Sequence, residues 1–240
     1  MIKLERFEVM NIESAIRGAR NPMNSWKKSD SFWVRDTNMC KGCSEVSCNN
    51  CPAFTYVLGN NDLDLAKRLC NAGSDHRKFL RQIFVSVDIT APLYWWKEFD
   101  TYKVGTVANS TSTMHKLATT PITMNCFEID DYISCLQTNV DTLGFGHSEN
   151  HNLNNDVSVF IECLEDLRLK YLETNDKRYW KELIRWLPES WLQTRTITMS
   201  YQNLRQMYFA RRNHKLTEWS INFINWIEEL PYAKELIMFE

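Results

Sequence analysis

The segment IFVSVDITAP, residues 83–92, carries the clearest structural signal in the sequence and decides the fold. Every second position in it is apolar, which is the alternation expected of a strand with one buried face. Ala91-Pro92 ends this strand, because proline has no backbone N–H to donate to a sheet. The next residues, 93–102, predict a helix. The alternating apolar positions are Ile83, Val85, Val87 and Ile89.

Outward from this strand, the hydrophobic pattern predicts many helices and few, dispersed strands. A half-buried edge strand over 3–12 leads into a short helix over 14–20, and a short β-branched strand covers 195–199. Longer helices are predicted over 62–72, from Asp156 onward, and over 177–187, 200–210 and 216–230. The pattern predicts an α+β fold, in which a mixed or antiparallel sheet packs with several helices.

The last predicted helix has two distinct stripes. Its apolar stripe should pack against the protein, and its polar stripe should face water or a partner. The apolar stripe consists of Leu216, Trp219, Phe223, Trp226 and Leu230, and the polar stripe of Glu218, Asn222, Asn225 and Glu229.

Composition limits the size and partners of the protein. The chain has 240 residues and 28.4 kDa, with 44% hydrophobic and 12% aromatic residues, so it can bury one substantial core. We predict a single domain over 1–240 with a cysteine-rich insertion at about 38–60. Lys and Arg number 28 against 30 Asp and Glu, a net charge of −2, so no global positive field attracts nucleic acid or an anionic membrane. Any nucleic-acid contact would have to be local.

Several phosphate-binding motifs and targeting segments are excluded. The chain has only seven glycines and contains neither GxGxxG nor GxxxxGK[ST], so side chains would have to hold a nucleotide. No apolar run approaches ~18 residues, which excludes a membrane-spanning helix. The first ten residues carry four charges, unlike a signal peptide, so we expect a cytoplasmic protein.

Four cysteines form the sharpest local motif, Cys40-x2-Cys43-x4-Cys48-x2-Cys51. Paired CxxC turns can direct four thiolates at one tetrahedral metal, so zinc is the natural candidate ligand. An iron–sulfur cluster, two disulfides, or free and redox-active thiols also fit the count. Because all four lie in one local loop, a zinc that stabilises the insertion is favoured over a catalytic zinc. The remaining thiols are predicted to be small core residues, Cys70, Cys126, Cys135 and Cys163.

Two polar segments have the composition of a ligand site. The first runs from Lys97 to His115 and mixes cations, hydroxyls and amides, and its part over 104–121 shows little helical or strand period. The second is the basic run 211–215 between two predicted helices. Its simpler interpretation is that these cations complement the dipole of the preceding helix.

Several segments, taken in order, resemble the flavin-dependent thymidylate synthases. That family has an AxRxAR segment, a strand ending in Ala-Pro, a helix with the motif RHRxxSxxxxSxR, and later a Leu-Pro, a helix, an Arg-bearing turn and a final long helix. The counterparts cover about two thirds of the chain and omit the cysteine insertion and the Asn-rich region near 150–155. They are Ala15-Ile16-Arg17-Gly18-Ala19-Arg20, then 83–92, Leu187-Pro188, and Phe209-Ala210-Arg211 before 216–226.

The resemblance also shows where this chain departs from the family. The family's Arg-His-Arg falls on Thr101-Tyr102-Lys103, and its arginine near the pyrimidine falls on Arg211. Two further arginines are replaced, by Thr113 and Gln202. Each charge-assisted hydrogen bond to a phosphate contributes about 1.5–3 kcal/mol, so two lost arginines remove roughly 3–6 kcal/mol. Lys97, Lys103, Arg212 or Lys215 could supply this charge from a different direction.

The resemblance implies a homotetramer that uses FAD, methylenetetrahydrofolate and NADPH, with a pyrimidine nucleotide such as dUMP as substrate. It makes Arg211 the catalytic candidate. The implied cofactor-binding residues are Tyr102, Lys103, Thr106, Asn109 and Asn213. The implied substrate-binding residues are Lys97, Ser110, Thr111, Thr113, His115, Gln202, Arg211 and Arg212.

Three functions remain open from the sequence. The first is flavin-dependent methylation or hydroxymethylation of a pyrimidine nucleotide at C5. The second is a catalytically inactive relative that binds or sequesters a nucleotide. The third is a metal-stabilised interaction protein whose cysteine insertion binds a partner.

Overall fold

The computed structural model describes residues 1–35, 54–130 and 154–239, with side chains omitted at 154–156. Its strands are β1 Lys3–Met10, β2 Phe32–Arg35, β3 Phe54–Val57, β4 Phe84–Pro92, β5 Val107–Ser110 and β6 Leu192–Ser200. Its α-helices are α1 Ile12–Arg20, α2 Asn60–Asn71, α3 Leu93–Phe99, α4 Thr113–Lys116, α5 Asn154–Thr174, α6 Lys177–Trp186, α7 Tyr201–Arg211, α8 Ile224–Glu228 and α9 Ala233–Leu236.

The strands form two sheets. One has four strands in the order β1-β4-β6-β5, which places β1 at an edge as predicted. The other is the antiparallel pair β2-β3. With helices around a small number of strands, the α+β class is confirmed. No helix in the described ranges is long and apolar enough to cross a membrane.

The chain divides into two compact units, each built from three stretches of sequence. The first unit comprises Met1–Leu4, Asp88–Thr101 and Ala108–Thr196. The second comprises Glu5–Val87, Tyr102–Val107 and Ile197–Glu240. The prediction that the whole chain behaves as one domain stays a prediction.

Strand β4 has the alternation expected from its sequence. Val85, Val87 and Ile89 are fully buried, while Phe84, Ser86, Asp88 and Thr90 between and beside them retain exposure. Burial of three β-branched side chains on one face stabilises the strand by roughly 1.5–3 kcal/mol each. The strand therefore supplies core to both units, since its residues belong in part to each.

The core of the second unit contains the apolar stripe predicted for the last helix. Trp219 and Phe223 are fully buried and Trp226 nearly so. The segment is not one regular helix, because Glu218–Phe223 forms a π-helical turn before α8. The extra residue in that turn changes the direction in which the side chains of the helix point. Glu218 was predicted to face water or a partner, but it is buried, at 7% exposure.

In the first unit, α5 and α6 pack together over a separate core. The members of this cluster are Leu117, Ile122, Phe127, Ile161, Leu164 and Leu183. Asp176 caps α6 by accepting a hydrogen bond from the Arg178 backbone N–H at 2.9 Å. Asp156 was predicted to cap the start of α5, but that helix begins at Asn154, so Asp156 lies within its first turn.

The segment over 104–121 is more regular than the sequence predicts. It contains β5 and the single turn α4, because β5 pairs with the neighbouring β6 and Ser112 caps α4. The backbone N–H of Thr111 donates to the Thr194 carbonyl at 2.9 Å, which continues the contact with β6 beyond β5. Tertiary pairing, and not local propensity, therefore gives these residues their strand conformation.

Candidate functional site

Arg211, at the last position of α7, is held by two aromatic residues in the second unit. Its Nε donates a hydrogen bond to the Tyr102 hydroxyl at 2.9 Å. Its guanidinium carbon lies 5.3 Å from the Tyr102 ring centroid and 4.9 Å from that of Trp219. Cation–π contacts of this length stabilise a guanidinium and fix its plane. Two predicted site residues, 109 positions apart, are thus brought into contact.

The start of α7 fixes the loop that carries Tyr102. Ser200 and Asn203 form a capping box, and the Asn203 amide Nδ2 also donates to the Val104 carbonyl at 2.8 Å. Gly105 permits the close approach, since its φ is +79° and a Cβ there would lie 3.2 Å from Asn203 Oδ1. The Thr106 hydroxyl then donates to the Tyr102 carbonyl at 3.0 Å. Thr106 therefore closes the turn with its hydroxyl.

The other candidates in the second unit lie at or near the surface. Lys103, Arg212 and Asn213 are exposed, and Gln202 is half-buried in the first turn of α7. The Arg212 guanidinium lies 5.0 Å from the Phe209 ring centroid. These side chains can meet a ligand from solvent, and their roles stay predictions.

The candidates in the first unit form a second group along β5 and α4. Asn109, Ser110, Thr111 and His115 are exposed. Two others already have protein partners, because Lys97 forms an ion pair with Glu189 at 2.5 Å and the Thr113 hydroxyl accepts from the Gln193 amide at 3.2 Å. A ligand would have to compete with these contacts.

Arg195 is a cation in the first unit that the sequence analysis did not select. Its guanidinium pairs with Asp100 at 3.0 Å, its Nε donates to the Gln193 amide oxygen at 2.9 Å, and its central carbon lies 4.2 Å from the Trp96 ring centroid. Only 16% of its side chain is exposed. Arg195 lies on the same face of β6 as buried Ile197 and Met199, a pattern that indicates its inward position. Its charge is offset by Asp100 within the unit.

A cavity of about 640 Å³ opens in the second unit beside α1, α2 and the 3₁₀ turn Arg77–Gln82. Half of its lining residues are polar or charged and half are apolar or glycine, so it can offer both hydrogen bonds and apolar contact to a ligand. The lining residues are Gly18, Ala19, Asn21, Pro22, Leu69, Asp75, His76, Lys78, Phe79 and Gln82. The sequence analysis selected none of these as ligands. The AxRxAR-like segment was the sequence signal that could have indicated this cavity, because it contributes Gly18 and Ala19 to the lining.

A buried ion pair anchors the helices beside this cavity. Arg20 Nε lies 2.6 Å from Asp62 Oδ1, and both side chains are almost completely buried. Burial alone would raise the pKa of Asp62, but hydrogen bonds from Ser31, Ser29 and Arg20 outweigh it and hold that pKa below its ordinary value. The charge of Arg20 is therefore neutralised by Asp62 inside the protein, and the ion pair joins α1 to α2.

The predicted metal ligands Cys40, Cys43, Cys48 and Cys51 lie outside the described residues. Within the described ranges, no group of three or more His, Cys, Asp or Glu side chains could hold a metal ion. Cys70 is buried as predicted, and burial raises its pKa to about 11, which keeps the thiol unreactive. Cys163 was predicted to be a core residue, but it is exposed because it lies on the outer face of α5.

Comparisons with known proteins establish the fold. No family model and no curated protein matches the sequence. The structure is similar to thymidylate synthase X from Helicobacter pylori with FAD and dUMP, at TM-score 0.60 and 17% identity, over 99% of this chain and 97% of that one. A second structure of the Helicobacter pylori flavin-dependent thymidylate synthase, also complexed with FAD and dUMP, matches with TM-score 0.59 and 17% identity, over 100% and 97%. The chain therefore has the thymidylate synthase X fold, as the motif order predicted.

Proposed function

We propose that this protein binds FAD and a dUMP-like pyrimidine nucleotide and transfers a one-carbon unit to C5 of the base. The supporting observation is the fixed Arg211 guanidinium, at the position that the resemblance assigns to the pyrimidine. The solved proteins of this fold named above were crystallised with FAD and dUMP. The transferred unit would be a methyl or hydroxymethyl group from methylenetetrahydrofolate, with NADPH as the source of electrons.

Arg211 would polarise the pyrimidine by donating hydrogen bonds to a carbonyl oxygen. The Tyr102 hydroxyl accepts from its Nε, and this hydrogen bond would orient the guanidinium toward the base. Because two aromatic faces hold the guanidinium, little reorganisation is needed when charge develops on the base. Tyr102 and Trp219 are thus positioning residues in this proposal.

The cavity in the second unit is the place that we propose for part of the flavin. A cavity of about 640 Å³ can accept part of a large planar ligand, and its Asn21, His76, Lys78 and Gln82 can donate hydrogen bonds. The bound flavin would supply the hydride. The cofactor contacts proposed outside the cavity are Tyr102, Lys103, Thr106, Asn109 and Asn213.

The phosphate would be held by cations that differ from those of the family. Lys103 and Arg212 are exposed in the second unit, near Tyr102 and Arg211 in sequence, and Lys215 is also exposed. Lys97 is less suited, because Glu189 already pairs with it. We propose Lys103 and Arg212 as the main phosphate contacts. The homotetramer and a zinc site at Cys40, Cys43, Cys48 and Cys51 complete the proposal.

A second function is nucleotide binding without catalysis. It is favoured by the neutral residues Thr113 and Gln202 at the positions of two family arginines, and by the engagement of the Thr113 hydroxyl with Gln193. A protein with this role would bind or sequester the nucleotide and produce nothing from it.

One incubation separates these functions. Purified protein is mixed with dUMP, FAD, NADPH and methylenetetrahydrofolate, and the nucleotide is analysed by mass spectrometry, with Arg211→Ala as the matched control. A methylated or hydroxymethylated nucleotide from the wild type alone supports the enzyme. Calorimetric binding of dUMP without product supports the sequestering protein. Absence of both product and binding contradicts both functions.

A further inference from the structure

The sheet β2-β3 presents aromatic rings to solvent in the second unit, and we name it the aromatic ribbon. Trp33 pairs with Tyr56 and Arg35 with Phe54 across the two strands. Directly paired residues share one face, and residues two apart in a strand do too, so all four side chains lie on the same face. The Trp33 and Tyr56 ring centroids are 5.2 Å apart, and 53% of Trp33 is exposed.

Cations flank this aromatic face in the sequence. Lys27 and Lys28 are exposed in the 3₁₀ turn Trp26–Lys28, a few residues before β2, and Arg35 is exposed at the end of β2. Residues 26–31 carry two cations, Lys27 and Lys28, and one carboxylate, Asp30, a local charge of +2 − 1 = +1. The Asp30 carboxylate accepts backbone N–H groups at the start of α2, including that of Asn61 at 2.9 Å.

The ribbon and the turn before it are fixed to the protein. The Ser31 hydroxyl donates to Asp62 at 2.5 Å, and the backbone N–H of Leu58 donates to the Tyr232 hydroxyl at 2.8 Å. The indole N–H of Trp26 donates to Asn21 at 2.8 Å, which leaves about half of that side chain exposed. Because hydrogen bonds already hold the backbone that carries these exposed rings, little conformational entropy is lost when a flat ligand stacks on them.

We propose that the aromatic ribbon and the Trp26–Lys28 turn bind single-stranded nucleic acid. Bases would stack on Trp33 and Trp26, and phosphates would lie near Lys27 and Lys28. Exposed rings beside cations form the usual platform for unpaired strands, whose bases are free to stack. The net charge of −2 gives no general attraction, so binding depends on this local set. The proposal does not depend on the nucleotide site at Arg211.

The test measures fluorescence anisotropy of a labelled oligodeoxythymidylate with the full chain. We expect Trp33→Ala to weaken binding at least fivefold and Trp33→Phe to restore most of it, because phenylalanine keeps an aromatic face. Trp186→Ala is the matched control, since Trp186 is 62% exposed in the first unit. The double variant Lys27→Gln/Lys28→Gln should reduce the salt slope by about 1.4, at roughly 0.7 per phosphate contact.

Three results would overturn the proposal. Equal affinity for the oligonucleotide and for a duplex of the same length would show that the protein attracts the phosphates electrostatically and that bases do not stack on its rings. Unchanged affinity in Trp33→Ala would place the strand elsewhere. No oligonucleotide binding, together with a smaller gel-filtration size for Trp33→Ala, would show that the ribbon is an interface between copies of this chain. Excess dUMP should leave oligonucleotide binding unchanged, which keeps this result separate from the proposed enzyme.

Discussion

The contact between Arg211 and Tyr102 allows the proposed pyrimidine site to be tested with one large and one small substitution. Arg211→Ala removes the guanidinium that would bind the base, and Tyr102→Phe removes only the hydroxyl that holds its Nε at 2.9 Å. A hydrogen bond from a charged group contributes about 1.5–3 kcal/mol, so Arg211→Ala should raise the dUMP dissociation constant roughly ten- to 150-fold.

Tyr102→Phe should have a smaller effect, because the ring and its cation–π contact remain. Loss of one orienting hydrogen bond costs about 1 kcal/mol, or roughly fivefold in affinity. Since Tyr102 acts through Arg211, its substitution should change nothing further in the Arg211→Ala background. The two effects are therefore expected to be strongly non-additive.

Calorimetric titration of dUMP into the wild type and the three variants, with FAD present, measures this cycle. Arg185→Ala, an exposed arginine on α6, serves as the control for loss of one positive charge. An unchanged dissociation constant in Arg211→Ala would remove Arg211 from the site. Fully additive effects would show that Tyr102 acts independently of Arg211, contrary to the positioning role.

Three further predictions concern the framework of the site. Asp62→Asn should destabilise the protein by about 3–5 kcal/mol, because it leaves the buried Arg20 without its counter-charge, and a melting temperature lowered by roughly 6–20 °C would show this. The pKa values of Asp62 and Glu165 are held below their ordinary range in the folded state. Their contribution to the free energy of unfolding should therefore be complete at a pH above the carboxyl pKa of the unfolded chain, and it should be lost as the pH falls through the lower pKa of the folded protein. A free energy of unfolding that does not change during an acid titration would contradict this. Gly105→Ala should cost about 1 kcal/mol in denaturant unfolding, because alanine at φ +79° is strained and its Cβ would crowd Asn203 at 3.2 Å, whereas a neutral result would mean that the turn relaxes.

The fold could be predicted where side chains follow a period. The alternation over 83–92 gives a strand whose inward residues are indeed buried, and the stripe containing Trp219 and Phe223 gives a buried helical segment. In both cases the same apolar side chains that define the period also form the core. The π-helical turn at Glu218–Phe223 was not predictable, since its inserted residue depends on packing in the finished core.

Strand β5 shows the opposite case. Val107-Ala108-Asn109-Ser110 is exposed throughout, so it has no buried face for the sequence to reveal. Its extended form depends on pairing with β6, more than 80 residues later in the chain. A pattern search within a short window cannot detect such a partner.

The candidate site was predictable in part. The order of motifs selected Tyr102 and Arg211 as site residues, and the structure places them in contact across 109 positions. The cavity beside α1 was not predicted as a site, because its lining comes from several short segments that are ordinary in sequence. Arg195 was missed because its partner Asp100, 95 positions earlier in the chain, is brought to it only by folding.

The most direct test of the proposed function is a visible absorption spectrum of the purified protein after incubation with FAD and removal of unbound flavin by gel filtration. The proposal predicts that the flavin band elutes with the protein and shifts when dUMP is added, because the nucleotide would bind beside the cofactor. Absence of the flavin band from the protein peak, even after incubation with a large excess of FAD, would contradict the flavin-dependent function.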